Sequence, residues 1–172
     1  MKRLYGKVRQ ESHIKHWGRL QLGLFLKGLG LAYEDALRWW KQEFTRKMSL
    51  EKFDKDYKYT IDHYYGRVGK RENKAPYGCR KVIMQQAQIP TGEYHGCPFT
   101  HAPKDEVLQI LKTYKLPLDS FNGIMEKTPL HPQIACRRLF EAAHPNASDM
   151  DFVGTSPNAW FDKSVKYHSS NP

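Results

Sequence analysis

The chain has 172 residues, with 28 lysines and arginines against 18 aspartates and glutamates, for a formal charge of +10. This length suits one domain with a sizeable core, two-lobed at most, and an aromatic content of 13% argues against a disordered chain. The charge favours a polyanionic partner, nucleic acid before an anionic membrane surface. The sequence shows no secretory signal, no apolar run long enough to span a bilayer and no convincing membrane-surface helix, so no membrane role is expected.

Hydrophobic spacing predicts helices in the first third of the chain. The sequence indicates a first helix over about residues 2–15, a break at Gly18, a second helix ending near Lys27 and a third over about residues 34–46. Ser49 can cap a short helical turn over residues 49–53.

The pattern changes after this turn. In DYKYTIDHYYG, the residues Tyr57, Tyr59, Ile61 and His63 alternate on one side, which is typical of a strand. The charged, glycine-containing segment 66–73 follows as a turn or flexible loop. A small β-hairpin is therefore predicted here.

The middle of the chain is rich in proline and glycine. Residues 74–103 predict mostly loop, with a short helix over about residues 79–86. Pro103 and Pro132 each begin a clear helical pattern. From His144 onward the sequence becomes polar and irregular.

The segment Glu11–Gly30 carries the densest group of hydrogen-bond donors. His13, Lys15, His16 and Arg19 lie within seven residues, and an apolar half follows. Clustered donors at the end of a rigid element suit an anion such as a phosphate. The alternative is a solvated helix end that happens to be basic.

Three cysteines, Cys79, Cys97 and Cys136, are too far apart to form a local motif such as CxxC. An odd number of cysteines without a secretory signal favours a reducing compartment. Three interpretations stay open: buried thiols, a zinc site completed by His95 or His101, or an iron–sulfur cluster with a fourth cysteine from elsewhere.

Several segments together resemble one family. They are ESHIKHWGRLQLGLFLKGLGL, ALRWWKQEF, KFDKDYKYTIDHYYGRVGKR, YGCRKVI, GEYHGCPF and QIACRRLFE. In these segments the chain is similar to the C-terminal domain of the large subunit of eukaryotic-type DNA primase. The resemblance implies a largely helical domain that holds a [4Fe–4S] cluster through four cysteines. Three of these match Cys79, Cys97 and Cys136, and the fourth is expected just before the residue that Met1 matches.

The predicted fold class is mainly α. We expect a helical, two-lobed domain with a small β-hairpin and a loop-rich middle organised around an iron–sulfur cluster. This domain is expected to cover residues 1–144, and residues 145–172 are expected to form an irregular C-terminal tail.

The resemblance also implies a function. It implies a domain without catalytic activity of its own that binds the junction of template DNA and RNA primer, including the primer 5′-triphosphate. It implies a role in starting RNA primers and limiting their length in DNA replication. The implied partners are the primase catalytic small subunit and the DNA polymerase alpha complex, in the nucleus. The residues expected to bind nucleic acid or triphosphate are His13, Lys15, His16, Arg19, Gln21, Lys27, Trp40, Lys41, Tyr57, Tyr59, Lys70 and Arg71.

Two other functions compete with this one. The first is a zinc-stabilised nucleic-acid-binding module that uses three cysteines and one histidine. The second is an enzyme such as a flavoprotein, which is disfavoured because the sequence has no nucleotide-binding glycine motif and no convincing pair of carboxylates. Tyr57 and Tyr59 also have a structural interpretation as core residues.

Overall fold

The computed structural model describes residues 1–84, 92–114, 116–147 and 153–170. The described residues form helices joined by turns and loops, and none of them lies in a strand. They divide into two compact units: residues 1–77 with 92–96, and the remaining described residues from 78 onward. The prediction of a mainly α protein is confirmed, and two units agree with the expected two lobes. None of the described helices is long and apolar enough to cross a membrane.

The first unit contains five helices among its described residues. They are α1 (Lys2–Glu11), α2 (His16–Gly28), α3 (Tyr33–Phe44), α4 (Leu50–Asp56) and α5 (Lys58–Tyr64). Their apolar faces meet in one core, built from Leu4, Val8, Ile14, Leu22, Leu24, Trp40, Phe44, Phe53, Ile61 and Tyr64. The oxygen Oγ of Ser49 accepts a hydrogen bond from the Lys52 backbone N–H at 3.2 Å, so the predicted cap of α4 is confirmed.

The predicted break at Gly18 is wrong, because Gly18 lies inside α2. The chain breaks earlier, at Ser12, whose φ of 52° ends α1. A Cβ atom on Gly18 would lie 2.7 Å from the Cδ1 atom of Ile14 and 3.3 Å from the backbone oxygen of Tyr94. The glycine therefore serves close packing rather than helix termination.

The predicted strand and β-hairpin are also wrong, because this segment forms α4 and α5. Phe53, Tyr57, Ile61 and Tyr64 are spaced by four, four and three residues, which is a helical repeat as well. Of these, Phe53, Ile61 and Tyr64 are buried in the core. The alternation typical of a strand coincides with this repeat, and packing against α3 selects the helix.

The second unit contains six helices among its described residues. They are α6 (Cys79–Met84), α7 (Pro98–His101), α8 (Lys104–Lys112), α9 (Leu118–Lys127), α10 (Pro132–Ala143) and α11 (Pro157–Ser170). The predicted helices that begin near Pro103 and at Pro132 are confirmed as α8 and α10. The core of this unit contains Phe99, Val107, Leu111, Ile124, Ala135 and Leu139. The last two residues of the predicted helix over 79–86 lie outside the described residues.

The expectation of an irregular segment over residues 145–172 is wrong for Pro157–Ser170, which form α11. The Oγ atom of Ser156 accepts a hydrogen bond from the Ala159 backbone N–H at 3.0 Å. A serine cap followed by Pro157 is a recognisable helix start. Trp160 packs with its ring centroid 5.2 Å from that of Phe140, so tertiary packing secures the helix.

Candidate functional site

Four cationic or donor side chains come together where α1 meets α2. We call His13, Lys15, His16 and Arg19 the cationic cluster. His13 lies in the turn, Lys15 precedes α2, and His16 and Arg19 occupy its first turn. Lys15 and His16 are exposed, whereas His13 and Arg19 are half-buried. The cluster is therefore open to solvent on one side and supported by the core on the other.

Tyr57 supports the buried side of the cationic cluster. Its hydroxyl lies 3.2 Å from the Nε2 atom of His13. The guanidinium carbon of Arg19 lies 4.7 Å from the centroid of the Tyr57 ring, a cation–π arrangement. Tyr57 does not lie in the predicted strand but stands at the junction of α4 and α5, where it orients two members of the cluster.

Arg19 is only partly satisfied within the described residues. One terminal nitrogen, Nη1, donates a hydrogen bond to the Ile14 backbone oxygen at 2.9 Å. The buried Nε atom has no hydrogen-bond partner among the described residues. Because a guanidinium carries five N–H donors in a rigid fork, Arg19 keeps donor capacity for an anion.

Burial and neighbouring charge lower the pKa of both histidines in the cluster. Burial is the largest cause for His13, and the positive charge of Arg19 is the next. The same two causes, in the same order, lower the pKa of His16. Burial also lowers the pKa of Arg19 from its very high ordinary value. At neutral pH both imidazoles are therefore mostly uncharged in the free protein.

Two charged residues that the sequence interpretation missed also belong to this region. The carboxylate of Glu93 opposes the lowering of the pKa of both Arg19 and His16, so it lies within electrostatic range of both. Its Oε2 atom is buried without a hydrogen-bond partner among the described residues. Lys47 adds to the lowering of the pKa of His13. No sequence pattern could reveal either neighbour, since both approach the cluster only through folding.

A second exposed group lies on α5 and in the loop after it. Tyr59 is 59% exposed, and its ring stacks on His63 at a centroid distance of 6.1 Å. A Cβ atom on Gly69 would lie 3.7 Å from the Tyr59 hydroxyl, which brings the loop beside this pair. Lys70 and Arg71 follow in the loop and are exposed. This group combines a flat aromatic surface with two cations.

Trp40 and Gln21, both predicted to contact a ligand, are buried in the first unit. Trp40 is 2% exposed, and its Nε1 atom donates a hydrogen bond to the Tyr64 hydroxyl at 3.2 Å. Gln21 is 1% exposed, and its Oε1 atom accepts a hydrogen bond from the Gly96 backbone N–H at 2.9 Å. Both side chains therefore support the site from within, and the structure does not place them on its surface.

Lys27 and Lys41 are half-buried and already bonded. The ammonium group of Lys27 donates to the backbone oxygens of Tyr64, at 3.0 Å, and Lys74. Burial lowers the pKa of Lys27. The ammonium group of Lys41 lies 3.2 Å from the Asp54 carboxylate. Of the twelve predicted residues, the structure thus gathers His13, Lys15, His16, Arg19 and Tyr57, and separately Tyr59, Lys70 and Arg71.

The three cysteines all belong to the second unit. Cys79 begins α6, Cys97 precedes α7, and Cys136 lies within α10. All three are half-buried thiols outside any disulfide. Burial, and then the neighbouring Cys97, raise the pKa of Cys79 to about 11. Burial and both other cysteines raise the pKa of Cys136. The three thiols are therefore close enough to interact electrostatically.

This donor set fits an iron–sulfur cluster in part. Such clusters are bound by cysteine thiolates, usually four, and the second unit supplies three that influence one another. The described residues contain no group of three or more histidines, cysteines, aspartates or glutamates arranged to hold a single metal ion. A four-iron cluster is larger than one ion, so its ligands need not converge on one point.

Taken together, these features define a class: a basic, mainly helical protein with an open cationic cluster in one unit and three neighbouring cysteines in the other. Over residues 1–161, the chain matches the family described as the C-terminal domain of the eukaryotic and archaeal DNA primase large subunit. The chain belongs to this family, and the resemblance inferred from the sequence is confirmed.

Individual relatives agree with the family match. The chain is 42% identical over 168 residues to the DNA primase large subunit of Mus musculus, and the aligned region covers 96% of the chain and 33% of the relative. It is 41% identical over 167 residues to the probable DNA primase large subunit of Arabidopsis thaliana, with 96% and 36% covered. It is 34% identical over 172 residues to the DNA primase large subunit of Saccharomyces cerevisiae, with 95% and 32% covered. The chain spans about a third of the length of these relatives.

Proposed function

We propose that this chain binds the 5′-triphosphate end of an RNA primer paired with template DNA, as a non-catalytic part of a primase large subunit. In this role it supports the start of primer synthesis and limits primer length in DNA replication. The observation that carries the proposal is the cationic cluster, in which a partly satisfied arginine stands beside two uncharged histidines and an orienting tyrosine.

The chemistry of the cationic cluster suits a chain of phosphates. Arg19 offers a planar fork that can bind two phosphate oxygens at once, and Lys15 adds a point charge. His13 and His16 supply directed N–H donors and become charged when a nearby anion raises their pKa. The core behind Tyr57 holds these donors in place before the ligand arrives, which lowers the entropic cost of binding.

The group on α5 suits the nucleic acid next to the triphosphate. The exposed face of Tyr59 can stack on a base, and base–aromatic stacking contributes about 1–3 kcal/mol. Lys70 and Arg71 can meet backbone phosphates, which adds affinity without reading sequence. This arrangement supports recognition of a strand end and its adjoining nucleotides.

Cys79, Cys97 and Cys136 would hold an iron–sulfur cluster as three of its ligands. When bound, the cluster supplies positive iron centres that stabilise the thiolates and link distant segments of the second unit. The three side chains need to lose their protons for this, since only thiolates ligate the metal.

The remaining parts of the proposal follow from the family. We infer a partnership with the catalytic small subunit of primase, which would carry out the synthesis of primer RNA. We also infer assembly with the DNA polymerase alpha complex and a nuclear location.

The substitution Arg19→Ala tests the triphosphate role. We expect it to weaken binding of a primer–template with a 5′-triphosphate much more than binding of the same duplex with a 5′-hydroxyl. Arg38→Ala is a matched control, since Arg38 is an exposed arginine paired with Asp35 in α3. Fluorescence anisotropy at fixed salt measures both affinities. If affinity falls equally for the two ends, Arg19 makes only a general phosphate contact, and its role in binding the triphosphate is overturned.

Metal analysis tests the cofactor. We expect about four irons and four sulfides per chain in protein purified without oxygen, with absorbance in the visible range. About one zinc per chain would favour the zinc-stabilised module instead.

A further inference from the structure

A buried carboxylate anchors two arginines outside the cationic cluster. The side chain of Glu43, in α3, is 0% exposed. It forms ion pairs with Arg9 of α1 and, at 3.3 Å, with Arg46 just after α3. The two arginine side chains are 47% and 42% exposed. Because a buried charge is costly unless it is paired, Glu43 holds the guanidinium group of Arg9 through a hydrogen bond to its Oε1 atom. It keeps Arg46 within ion-pair distance of its Oε2 atom, and parts of both arginines face solvent.

The turn after α3 leads from this anchor to the cationic cluster. The Lys47 backbone N–H donates a hydrogen bond to the Phe44 oxygen at 3.0 Å. The Phe44 ring lies 5.3 Å from the ring of His13. Lys47 is exposed, and its positive charge acts on His13. Arg9 and Arg46 pair with Glu43, and Lys47 follows Arg46 in the chain. We call these three residues the basic row.

We propose that the basic row binds the phosphodiester backbone of the nucleic acid that continues past the 5′ phosphates held at the cationic cluster. This inference rests on the proposed function. Three cations against the single carboxylate of Glu43 leave the row positive, and preoriented guanidinium groups suit phosphate oxygens. A nucleic acid whose 5′ phosphates bind the cationic cluster carries further phosphates along its backbone, and the basic row offers positive charges for them. Such contacts hold the strand in place without reading its sequence.

Two strands could supply this backbone: the primer itself, or the template where it extends beyond the primer 5′ end. Two triphosphate-ended substrates separate them, one with a template overhang at that end and one blunt. The variants are Lys47→Ala and the double variant Arg46→Ala with Lys47→Ala. Arg38→Ala again serves as the control, of equal charge to Lys47→Ala; the double variant removes one positive charge more.

The measurement is affinity as a function of salt concentration. Each lost phosphate contact lowers the slope of log affinity against log salt by about 0.9 on a duplex and about 0.7 on a single strand, or roughly five- to eightfold in affinity at 0.1 M salt. We expect this loss for Lys47→Ala and about twice the change in slope for the double variant. A loss on both substrates assigns the row to the primer–template duplex, and a loss only with the overhang assigns it to the template beyond the primer 5′ end. Unchanged slopes for the folded Lys47→Ala variant on both substrates would overturn the inference.

The result is separable from the test of the proposed function. Variants of the basic row are expected to keep the preference of the wild-type chain for a 5′-triphosphate over a 5′-hydroxyl. Arg19→Ala is expected to lose that preference. Since the side chain of Lys47 is exposed, its substitution is not expected to unfold the chain.

Discussion

Binding of a phosphate ligand to the cationic cluster should be coupled to proton uptake. In the free protein, burial and then the charge of Arg19 lower the pKa of both His13 and His16. Lys15 and Lys47 also lower the pKa of His13, whereas Glu11 raises it, and Glu93 raises that of His16. A polyanion placed against the imidazoles favours their charged forms and raises both pKa values. Affinity should therefore increase as the pH falls.

The size of the effect follows from the number of histidines. Each imidazole takes up at most one proton, and each proton changes affinity by at most about tenfold per pH unit. The two histidines together can therefore change affinity by at most about a hundredfold per pH unit. This change occurs in the pH range between the lowered pKa of the free state and the raised pKa of the bound state. Because burial and the charge of Arg19 lower both free-state pKa values, this range begins below the ordinary pKa of histidine.

Affinity for one triphosphate-ended primer–template, measured between about pH 6 and 8 at constant ionic strength, tests this coupling. His13→Gln and His16→Gln keep a hydrogen-bond donor but cannot take up a proton. Each substitution should reduce the slope of log affinity against pH by up to one. Ionisation of the ligand affects all variants equally, because all of them bind the same substrate. If both variants retain the wild-type slope, the histidines do not take up protons on binding, and the reasoning is wrong.

Three further substitutions test packing and stacking. Gly23→Ala should lower the free energy of unfolding by about 1–3 kcal/mol, since the new Cβ atom would lie 2.6 Å from the buried Tyr64 hydroxyl. Gly6→Ala is the control: a Cβ atom there meets nothing within 4 Å, so this substitution should be neutral or stabilising. Urea unfolding measures the stability of both variants. Tyr59→Ala should weaken nucleic-acid binding by about 1–3 kcal/mol with little change in melting temperature. A lower melting temperature with binding unchanged would make Tyr59 a structural residue. Lys27→Met should cost about 1.5–3 kcal/mol of stability, because two backbone oxygens lose a charged donor. Unchanged stability with weakened binding would instead make Lys27 a ligand contact.

Local sequence was sufficient where one element contains the whole signal. The helical repeats of α3, α8 and α10 and the serine cap of α4 depend on residues within one or two turns of each other. The cationic cluster was recognisable for the same reason, since its four members lie within seven residues.

Local sequence failed where two patterns fitted the same residues. The segment around Tyr57 and Ile61 satisfies both a period of two and a helical repeat, and only the core around Phe44 and Phe53 distinguishes them. At α11 the polar composition concealed a helix that Trp160 secures through contact with Phe140. In both cases the deciding free energy comes from burial against residues distant in sequence.

The sequence alone determined the family, the basic charge, most helices and the donors of the cationic cluster. Only the tertiary structure decided which side chains face outward and which neighbours they have. Trp40 is in the core and Tyr59 on the surface because each helix turns its apolar face toward the same interior. Glu93 lies within electrostatic range of Arg19, and Glu43 pairs with Arg9, because chain folding brings together charges that are far apart in sequence. The pKa values and the basic row depend on those distances, which no local pattern encodes.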